Sequence, residues 1–289
     1  MTKIATAQYD IGFFWQWSEY QDKIVQWVQE ARRQGAEILV FPEYAAMELT
    51  SLFGKEVYSC LSAQLHEIQS LQQKFIDIFQ ALAKEQGCVI QPGTFPVQLE
   101  NGDFRNRAFL FLPDGRIEYQ DKLQMTRFEN EQWLIKSGTE LKCFDTDFGK
   151  LAISICYDSE FPLLAHQQVR AGADLILVPS CTDALAGYYR VRIGCQARAL
   201  ENQCYVVQSS LVGEAPWSEA VDVNVGAAAV YTPVDRGFPH DGVLAIGELN
   251  EPQWVYADLS FAEIARVRQQ GQVFNYRDWP LQNRFVTAV

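Results

Sequence analysis

The spacing of hydrophobic residues predicts an alternation of strands and helices. Residues 3–8 alternate as in a strand, whereas residues 17–34 carry apolar side chains three and four positions apart, as on one face of a helix. The same pattern predicts helices at 64–86, 161–171, 188–203 and 261–270, and strands at 38–41, 88–93, 106–112, 117–121, 173–179, 205–209, 226–231, 243–248 and 254–259. Since short turns join several strand pairs, we expect a mixed α/β sheet covered by helices.

An apolar run within residues 150–162 leads to Cys156, and the following Ser159, Phe161 and Pro162 can open a helix. A thiol at a strand-to-helix junction is a candidate nucleophile, because backbone N–H groups and the positive end of a helix dipole favour its thiolate. The same pattern also fits a buried structural cysteine.

Two charged residues and two small polar ones follow other predicted strands. Glu43 comes just after the strand at 38–41, and Lys122 directly follows the strand at 117–121. Ser180 and Cys181 leave the strand at 173–179 and are placed to line a pocket. Sites in open α/β sheets are built at the carboxyl ends of strands. Taken alone, however, Glu43 also fits a solvated loop carboxylate and Lys122 a surface charge.

The segment 123–138 mixes charged and aromatic residues without a clear period, so we expect a loop over one end of the sheet. It contains two carboxylates, Glu129 and Glu131, followed by Trp133.

A cysteine nucleophile needs a base, and the chain has only three histidines. His66 and His166 fall inside predicted helices, so His240, in the polar connection 233–242, is the one candidate for a Cys–His dyad. The sequence contains no Gly-rich phosphate loop, no GxSxG motif and no metal-spaced His/Glu pair. We therefore expect no metal and no cofactor.

Composition narrows the classes of partner. The 289-residue chain carries a formal net charge of −12, which argues against unaided binding to nucleic acid or an anionic membrane and favours a small-molecule partner. Its seven cysteines form no CxxC pair, so neither a disulfide framework nor a zinc site is indicated. Without an apolar run of transmembrane length or a signal-peptide pattern, we expect one cytoplasmic domain over residues 1–289.

Four sequence blocks together resemble the nitrilase superfamily of carbon–nitrogen hydrolases. They are EILVFPEY around Glu43, YQDKL around Lys122, ISICYDSEFP around Cys156, and QARALENQCYVV at 196–207. They occur in the family's order and separation, and the similarity extends from about residue 3 to about residue 259. The resemblance implies a four-layer α-β-β-α sandwich with two mixed sheets and a Glu-Lys-Cys triad.

The resemblance also implies a role for each residue. Cys156 would attack a carbonyl or nitrile carbon, with Glu43 as the general base that later protonates the leaving group. Lys122 and the backbone N–H of Tyr157 would hold the oxyanion. A second carboxylate would help to place the substrate, and Glu129 fits that position better than the alternative, Glu131.

The resemblance leaves the substrate open, because the triad is shared by enzymes that cleave amides and enzymes that cleave nitriles. A small carboxamide or N-carbamoyl compound is the leading expectation and a nitrile the second. A silent binding protein and an acyltransferase are the alternatives of other classes. Residues 180–183 read SCTD and depart from well-known amidase branches, so the pocket lining is not transferable. The family also implies a homodimer or higher homo-oligomer.

Overall fold

The computed structural model describes residues 1–284. Within these residues, fourteen strands form one mixed sheet. The strands are β1 (Thr2–Asp10), β2 (Ile38–Phe41), β3 (Val89–Pro92), β4 (Thr94–Gln98), β5 (Phe104–Phe111), β6 (Ile117–Asp121), β7 (Cys143–Thr146), β8 (Gly149–Ile153), β9 (Leu175–Ser180), β10 (Tyr205–Glu214), β11 (Val223–Asn224), β12 (Ala229–Tyr231), β13 (Val243–Ile246) and β14 (Gln253–Leu259).

The helices alternate with these strands along most of the chain. They are α1 (Trp17–Arg33), α2 (Lys55–Tyr58), α3 (Leu61–Glu67), α4 (Gln72–Gln86), α5 (Arg127–Glu131), α6 (Pro162–Arg170), α7 (Leu185–Asn202), α8 (Phe261–Gln270) and α9 (Asn275–Asp278). Four 3-10 turns lie at Ala45–Leu52, Ile68–Leu71, Cys156–Glu160 and Trp279–Arg284. The predicted helix at 261–270 is confirmed at both ends, and the one at 17–34 to within one residue.

Six neighbouring strands at the centre of the sheet, in the order β3-β2-β1-β10-β9-β8, run parallel to one another. Antiparallel strands extend the sheet at both ends, and β14 pairs antiparallel with β1. The predicted mixed sheet is therefore confirmed. Strand β13 pairs antiparallel with β12, and β14 pairs antiparallel with β1.

Side chains of alternate residues on β2 point into two different cores. On β2, Leu39 and Phe41 share a core with α1 and α4, whereas Ile38 and Val40 share a second core with β9, α6 and α7. The order of layers is thus helices, sheet, sheet, helices, as the resemblance implied. The two sheets are halves of one hydrogen-bonded sheet, joined where β1 pairs with β10 at Gln8–Ser210.

The single helix expected at 64–86 is divided. Residues Ile68–Leu71 form a 3-10 turn between α3 and α4. The side chain of Gln69 explains the break: its amide donates to the carbonyl of Pro96 at 2.7 Å and accepts from the N–H of Gln98 at 3.0 Å. The chain therefore changes direction where this side chain binds the edge of β4.

No helix among residues 1–284 combines the length and the apolar character that crossing a bilayer requires.

Candidate active site

Four of the candidate site residues from the sequence analysis lie together at one edge of the sheet. Glu43 follows β2, Lys122 follows β6, Cys156 follows β8 and Cys181 follows β9. Strands β2, β8 and β9 belong to the parallel centre, so their carboxyl ends lie on the same side. The topology thus gathers side chains that are up to 138 residues apart in sequence.

Close backbone packing fixes the position of Glu43. At Gly93, which has φ of +81°, an added Cβ would lie 2.0 Å from the carbonyl oxygen of Pro42. Glycine therefore lets the end of β3 approach the residue before Glu43. Tyr44 has φ of +58°, an uncommon conformation for a side-chain-bearing residue, and its N–H donates to Thr94 Oγ1 at 2.8 Å. Both features hold Glu43 at the strand end.

Cys156 begins a 3-10 turn in a similarly uncommon conformation, with φ of +49°. The turn packs against α7 at Gly194, where an added Cβ would lie 3.0 Å from the carbonyl oxygen of Ser159. Arg198 donates to the same oxygen at 3.0 Å. Such conformations persist only where the surrounding structure imposes them, and they cluster at functional sites.

Asp158 ties this turn to the segment that follows Lys122. Its buried carboxylate accepts the N–H of Leu123 at 3.1 Å and that of Gln124 at 2.7 Å, as well as the N–H of Ile155 at 3.3 Å. Burial raises the pKa of Asp158 to about 7, although the charge of Lys122 and these N–H groups oppose the rise. One side chain thereby sets the position of Cys156 relative to Lys122.

The ammonium group of Lys122 lies between two buried carboxylates. Its nitrogen is 2.7 Å from Glu43 Oε1, 2.8 Å from Glu129 Oε1 and 2.7 Å from Glu129 Oε2. The amide of Asn106 donates to both carboxylates, at 2.8 Å to Glu43 and 3.2 Å to Glu129. Because all four side chains are almost completely buried, these contacts are only weakly screened by water.

Glu129 lies on α5, a short helix inside the segment expected to be a loop. Thr126 caps this helix: its hydroxyl accepts the N–H of Glu129 at 3.3 Å, while its own N–H and hydroxyl each lie 2.9 Å from Glu129 Oε2. The hydroxyl of Tyr44 donates to Glu129 Oε1 at 2.7 Å. The expected loop is thus wrong here, because a Thr-x-x-Glu capping box starts a helix.

The two carboxylates differ in proton affinity. Burial raises the pKa of Glu43 above its ordinary value, and Lys122 only partly offsets this. Burial would also raise the pKa of Glu129, but Lys122, Tyr44 and Thr126 outweigh it and lower that pKa. The pKa of Lys122 itself is raised: burial opposes its charge, but Glu129 and Glu43 favour it more strongly. Glu129 is therefore a fixed anion, and Glu43 is the group able to exchange a proton.

The thiol of Cys156 is buried, and its surroundings raise its pKa. Its sulfur lies 3.6 Å from the carbonyl oxygen of Cys181, and Glu43 is close enough to interact with it. Burial raises the pKa of Cys156 well above 9.0, and Glu43 raises it further, while Lys122 lowers it only in part. Desolvation and the neighbouring carboxylate thus oppose the thiolate that the cation and the turn would favour. A base must remove the proton during reaction.

The backbone beside Cys156 offers a hydrogen-bond donor. Tyr157 is the second residue of the 3-10 turn. The first backbone N–H of this turn that donates a hydrogen bond to another backbone group is that of Asp158, which donates to the carbonyl of Ile155 at 2.9 Å. The N–H of Tyr157 has no backbone acceptor in the part of the chain that the structure describes. It is therefore available to a bound group beside the sulfur.

These side chains line a cavity of about 560 Å³. Its floor includes Glu43, Lys122, Glu129, Cys156 and Cys181. Apolar walls are supplied by Phe128, Tyr157, Val191, Ala220 and Val223. The volume suits a small organic molecule.

The structure does not bring every predicted residue to this cavity. Ser180, expected to leave the strand, is instead the last residue of β9, where it is buried and its hydroxyl donates to the carbonyl of Val178 at 3.2 Å. Glu131 faces solvent and pairs with Arg127 at 2.9 Å, because residues two apart on a helix point in different directions. His240, the candidate partner for a Cys–His dyad, is exposed and lies outside the cavity lining.

Four residues of the site were not predicted from the sequence. They are residues that hydrogen-bond to the carboxylates of the cavity or position its segments: Tyr44, Asn106, Thr126 and Asp158. Thr126 could have been found from its capping-box spacing to Glu129. The other three act through contacts between distant segments, which a single sequence does not reveal.

Among residues 1–284, no group of three or more His, Cys, Asp or Glu side chains is arranged to hold a metal ion. The chemistry that this cavity can perform with its own groups is proton transfer at Glu43 and nucleophilic attack by Cys156.

Comparison with known proteins identifies the family of this chain. Residues 3–269 match the model of a family described as carbon-nitrogen hydrolase. The chain is 36% identical over 276 residues to the probable hydrolase YhcX of Bacillus subtilis, covering 96% of this chain but only 53% of that protein, so it spans about half of its length. It is 25% identical to the omega-amidase NIT2-B of Xenopus laevis over 262 residues, 88% of this chain and 87% of that protein.

The fold is also found in solved structures. The structure of Saccharomyces cerevisiae Nit3, described as a member of branch 10 of the nitrilase superfamily, superposes with a TM-score of 0.75 at 20% identity. The match covers 98% of this chain and 97% of that one. The α-β-β-α arrangement is therefore that of the nitrilase superfamily, and the family match extends over nearly the whole chain. The chain belongs to the carbon–nitrogen hydrolase family.

Proposed function

We propose that this protein hydrolyses a small carboxamide or N-carbamoyl compound, with Cys156 as nucleophile, Glu43 as general base and acid, and Lys122 as the fixed cation. The observation that carries the proposal is the meeting of these three buried side chains at the floor of one cavity. The amidase named among the relatives supports an amide rather than a nitrile.

In the first half of the reaction, Glu43 takes the proton of the Cys156 thiol as the sulfur attacks the amide carbon. The carbonyl π electrons move to oxygen, and the resulting oxyanion lies near the charge of Lys122 and the N–H of Tyr157. Glu43 then gives its proton to the amide nitrogen. The carbon–nitrogen bond breaks, ammonia leaves, and a thioester to Cys156 remains.

In the second half, water enters the space vacated by ammonia. Glu43 accepts a proton from this water as its oxygen attacks the thioester carbon. The second tetrahedral intermediate collapses with cleavage of the carbon–sulfur bond, and the sulfur regains a proton from Glu43. The acid product leaves and the starting protonation state is restored.

Ammonia release tests this function. The wild-type protein is assayed against a panel of small primary amides, N-carbamoyl amines and the nitriles of matching chain length, alongside Cys156→Ala. We expect release from amides or carbamoyl compounds that falls to background in Cys156→Ala. A matched Cys60→Ser variant should retain activity, since Cys60 is exposed and outside the cavity.

Turnover of nitriles without amides would contradict the amide assignment. If hydroxylamine or an amine consumes the acyl group to the exclusion of water, the protein is a transferase. If no panel member is cleaved and an acyl electrophile does not label Cys156, the protein is a binding protein that has lost turnover.

We also propose a homodimer. Leu185, Tyr189 and Ile193 recur at four-residue spacing on α7 and are 48%, 47% and 63% exposed. Such an apolar stripe is typical of a surface that packs against another helix. Multi-angle light scattering tests this, with a monomer mass in wild type as the contradicting result and Ile193→Glu expected to shift a dimer toward monomer.

A further inference from the structure

The two oxygens of Glu43 have different hydrogen-bond surroundings. Oε1 accepts from the ammonium group of Lys122 at 2.7 Å and from the amide of Asn106 at 2.8 Å. Oε2 accepts the backbone N–H of Cys181 at 3.1 Å. A carboxylate oxygen has room for about two donors, so Oε1 is fully occupied and Oε2 has room for one more hydrogen. The thiol of Cys156, which also interacts with this carboxylate, can therefore deliver its proton to Oε2.

Asn106 is held in place by the strands on both sides of it. In β5 it lies opposite Pro96 of β4, and its backbone carbonyl accepts the N–H of Lys122, directly after β6, at 2.9 Å. Next to it, Arg107 and Asp121 face each other across β5 and β6 and form a bidentate pair of 2.7 and 3.0 Å. The register that sets Asn106 beside Lys122 is thus fixed, and its side chain is completely buried.

The neighbouring carboxylates decide which way the amide of Asn106 is turned. Its nitrogen lies 2.8 Å from Glu43 Oε1 and 3.2 Å from Glu129 Oε1, so the reverse orientation would set its oxygen against two carboxylate oxygens. Its own oxygen is buried and accepts no hydrogen bond from the described residues 1–284. An unpaired buried acceptor costs stability, which an apolar side chain would avoid. This cost favours a functional role for the donor over a purely structural one.

Asn106 acts on Glu43 without adding charge or touching a substrate. The groups around Glu43 that can themselves titrate are Lys122, Glu129, Cys156, Cys181 and Tyr44. A neutral donor stabilises an ionised carboxylate only through its hydrogen bond. Asn106 also lies outside the cavity lining. Its replacement therefore changes the proton affinity of Glu43 while every charged group of the site is kept.

We propose that Asn106 is a positioning residue that reserves Oε1 of Glu43 as an acceptor, so that every proton of the reaction is carried on Oε2. This inference rests on the proposed amidase function. The thiol proton of Cys156 passes to Oε2 as the carbon–sulfur bond forms, and it moves from Oε2 to the amide nitrogen as the carbon–nitrogen bond breaks. Water later gives a proton to the same oxygen, and the sulfur regains it when the carbon–sulfur bond breaks. Oε1 meanwhile stays bound to Lys122 and Asn106, which keeps the carboxylate in one orientation throughout.

The pH profile of kcat/KM tests the inference, because a purely structural residue would leave the acid limb in place. Asn106→Leu removes the donor and keeps the branched shape of the side chain, and Asn106→Ala removes it without added bulk. Without this donor the ionised form of Glu43 is less stable and its pKa rises. We expect the acid limb of both variants to move upward by about one pH unit or more. We also expect kcat on the plateau to fall by about tenfold with KM near wild type, because Oε1 can then take the proton in an unproductive place.

Gln168→Met is the matched control. Gln168 is also a buried amide whose oxygen has no partner within residues 1–284, but its nitrogen donates to the backbone carbonyl of Ile153 at 2.8 Å and not to a carboxylate. We expect this variant to have a lower melting temperature and the acid limb of the wild type. An unmoved limb in both Asn106 variants, or an equal movement in Gln168→Met, would overturn the inference and leave the amidase function standing.

A second measurement needs no turnover. The rate at which iodoacetamide alkylates Cys156 is followed as a function of pH by peptide mass spectrometry, which separates this residue from the exposed Cys60. The sulfur displaces iodide and Glu43 takes the thiol proton, so the acid limb of this rate reports the same carboxylate. We expect the same upward movement in both Asn106 variants. If it occurs in a protein that cleaves no amide, the proposed function fails and the role of Asn106 stands; an unmoved limb overturns that role.

Discussion

Glu43 and Glu129 share the ammonium group of Lys122 but differ in their other donors. Glu129 accepts hydrogen bonds at both of its oxygens, from Tyr44, Thr126 and Lys122. Glu43 instead has one oxygen that accepts the backbone N–H of Cys181 at 3.1 Å, and it also interacts with the thiol of Cys156. The pKa of Glu129 is lowered and that of Glu43 is raised. Their opposite shifts support the proposed roles of Glu129 as an anchor and Glu43 as a proton carrier.

Replacing Glu129 by Gln should damage both stability and activity. The change removes one charge from a buried pair, which costs about 3–5 kcal/mol in free energy of unfolding and lets Lys122 move away from the sulfur. We expect a lower melting temperature and a fall in kcat/KM for a neutral amide of roughly 100-fold or more. In Glu131→Gln, the control on the same helix, both values should stay near wild type; equal effects of the two variants would contradict the assignment of Glu129.

Replacing Glu43 by Gln should remove the proton carrier while Lys122 keeps its pair with Glu129. We expect kcat to fall by about 10²–10⁴, the range that general acid–base catalysis supplies. The control is Glu37→Gln, at the opposite end of β2, where the carboxylate only accepts the N–H of Lys3 at 3.2 Å. Steady-state kinetics and thermal melts of both variants check this; a Glu43→Gln enzyme with more than a tenth of wild-type kcat would be inconsistent with the role.

The pH dependence of kcat/KM follows from the two raised pKa values. The active form has Glu43 ionised and Cys156 protonated, so activity should be lost as falling pH protonates Glu43. Because burial raises that pKa, the acid limb should lie above the ordinary glutamate value of 4.5. Loss at high pH should begin only above 9.0, since the pKa of Cys156 is also raised. A profile from pH 4 to 10 with an acid limb at or below 4.5, or an alkaline limb below 9.0, would disagree with this protonation state.

Thr126 should affect the site through Glu129. Thr126→Ala removes the helix cap and a hydroxyl 2.9 Å from Glu129 Oε2, which costs about 1 kcal/mol in free energy of unfolding. We expect a several-fold fall in kcat with little change in KM. Thr126→Ser retains the hydroxyl and should restore most of the activity. Denaturant titrations and kinetics of the pair check this, and similar losses in both variants would point to the methyl group instead of the hydrogen bonds.

Sequence patterns located the main side chains of the candidate site but not the residues that hold them in place. Glu43 and Cys156 follow short apolar runs that are typical of buried strands, so their position at the sheet edge could be predicted from the alternation of elements. Asn106 lies inside a strand, and nothing in its neighbours shows that its amide binds two carboxylates. Such contacts depend on which strands become neighbours, and that information is distributed over the whole chain.

The protonation of Cys156 shows a second limit. Its sequence setting suggests a thiolate, because a turn and a cation are expected beside it. The structure adds burial and the charge of Glu43, which together reverse the direction of the pKa shift. Whether a cation or desolvation prevails depends on how completely water is excluded, and hydrophobic periodicity does not determine that.

The most direct test of the account is the mass of the protein during turnover. Wild-type protein and Cys156→Ala are mixed with a small amide substrate, quenched in acid within milliseconds to seconds, and measured by intact-mass and peptide mass spectrometry. We expect an acyl adduct on the peptide containing Cys156 in the wild type, and neither adduct nor ammonia release in Cys156→Ala. Ammonia release that persists in Cys156→Ala would contradict it.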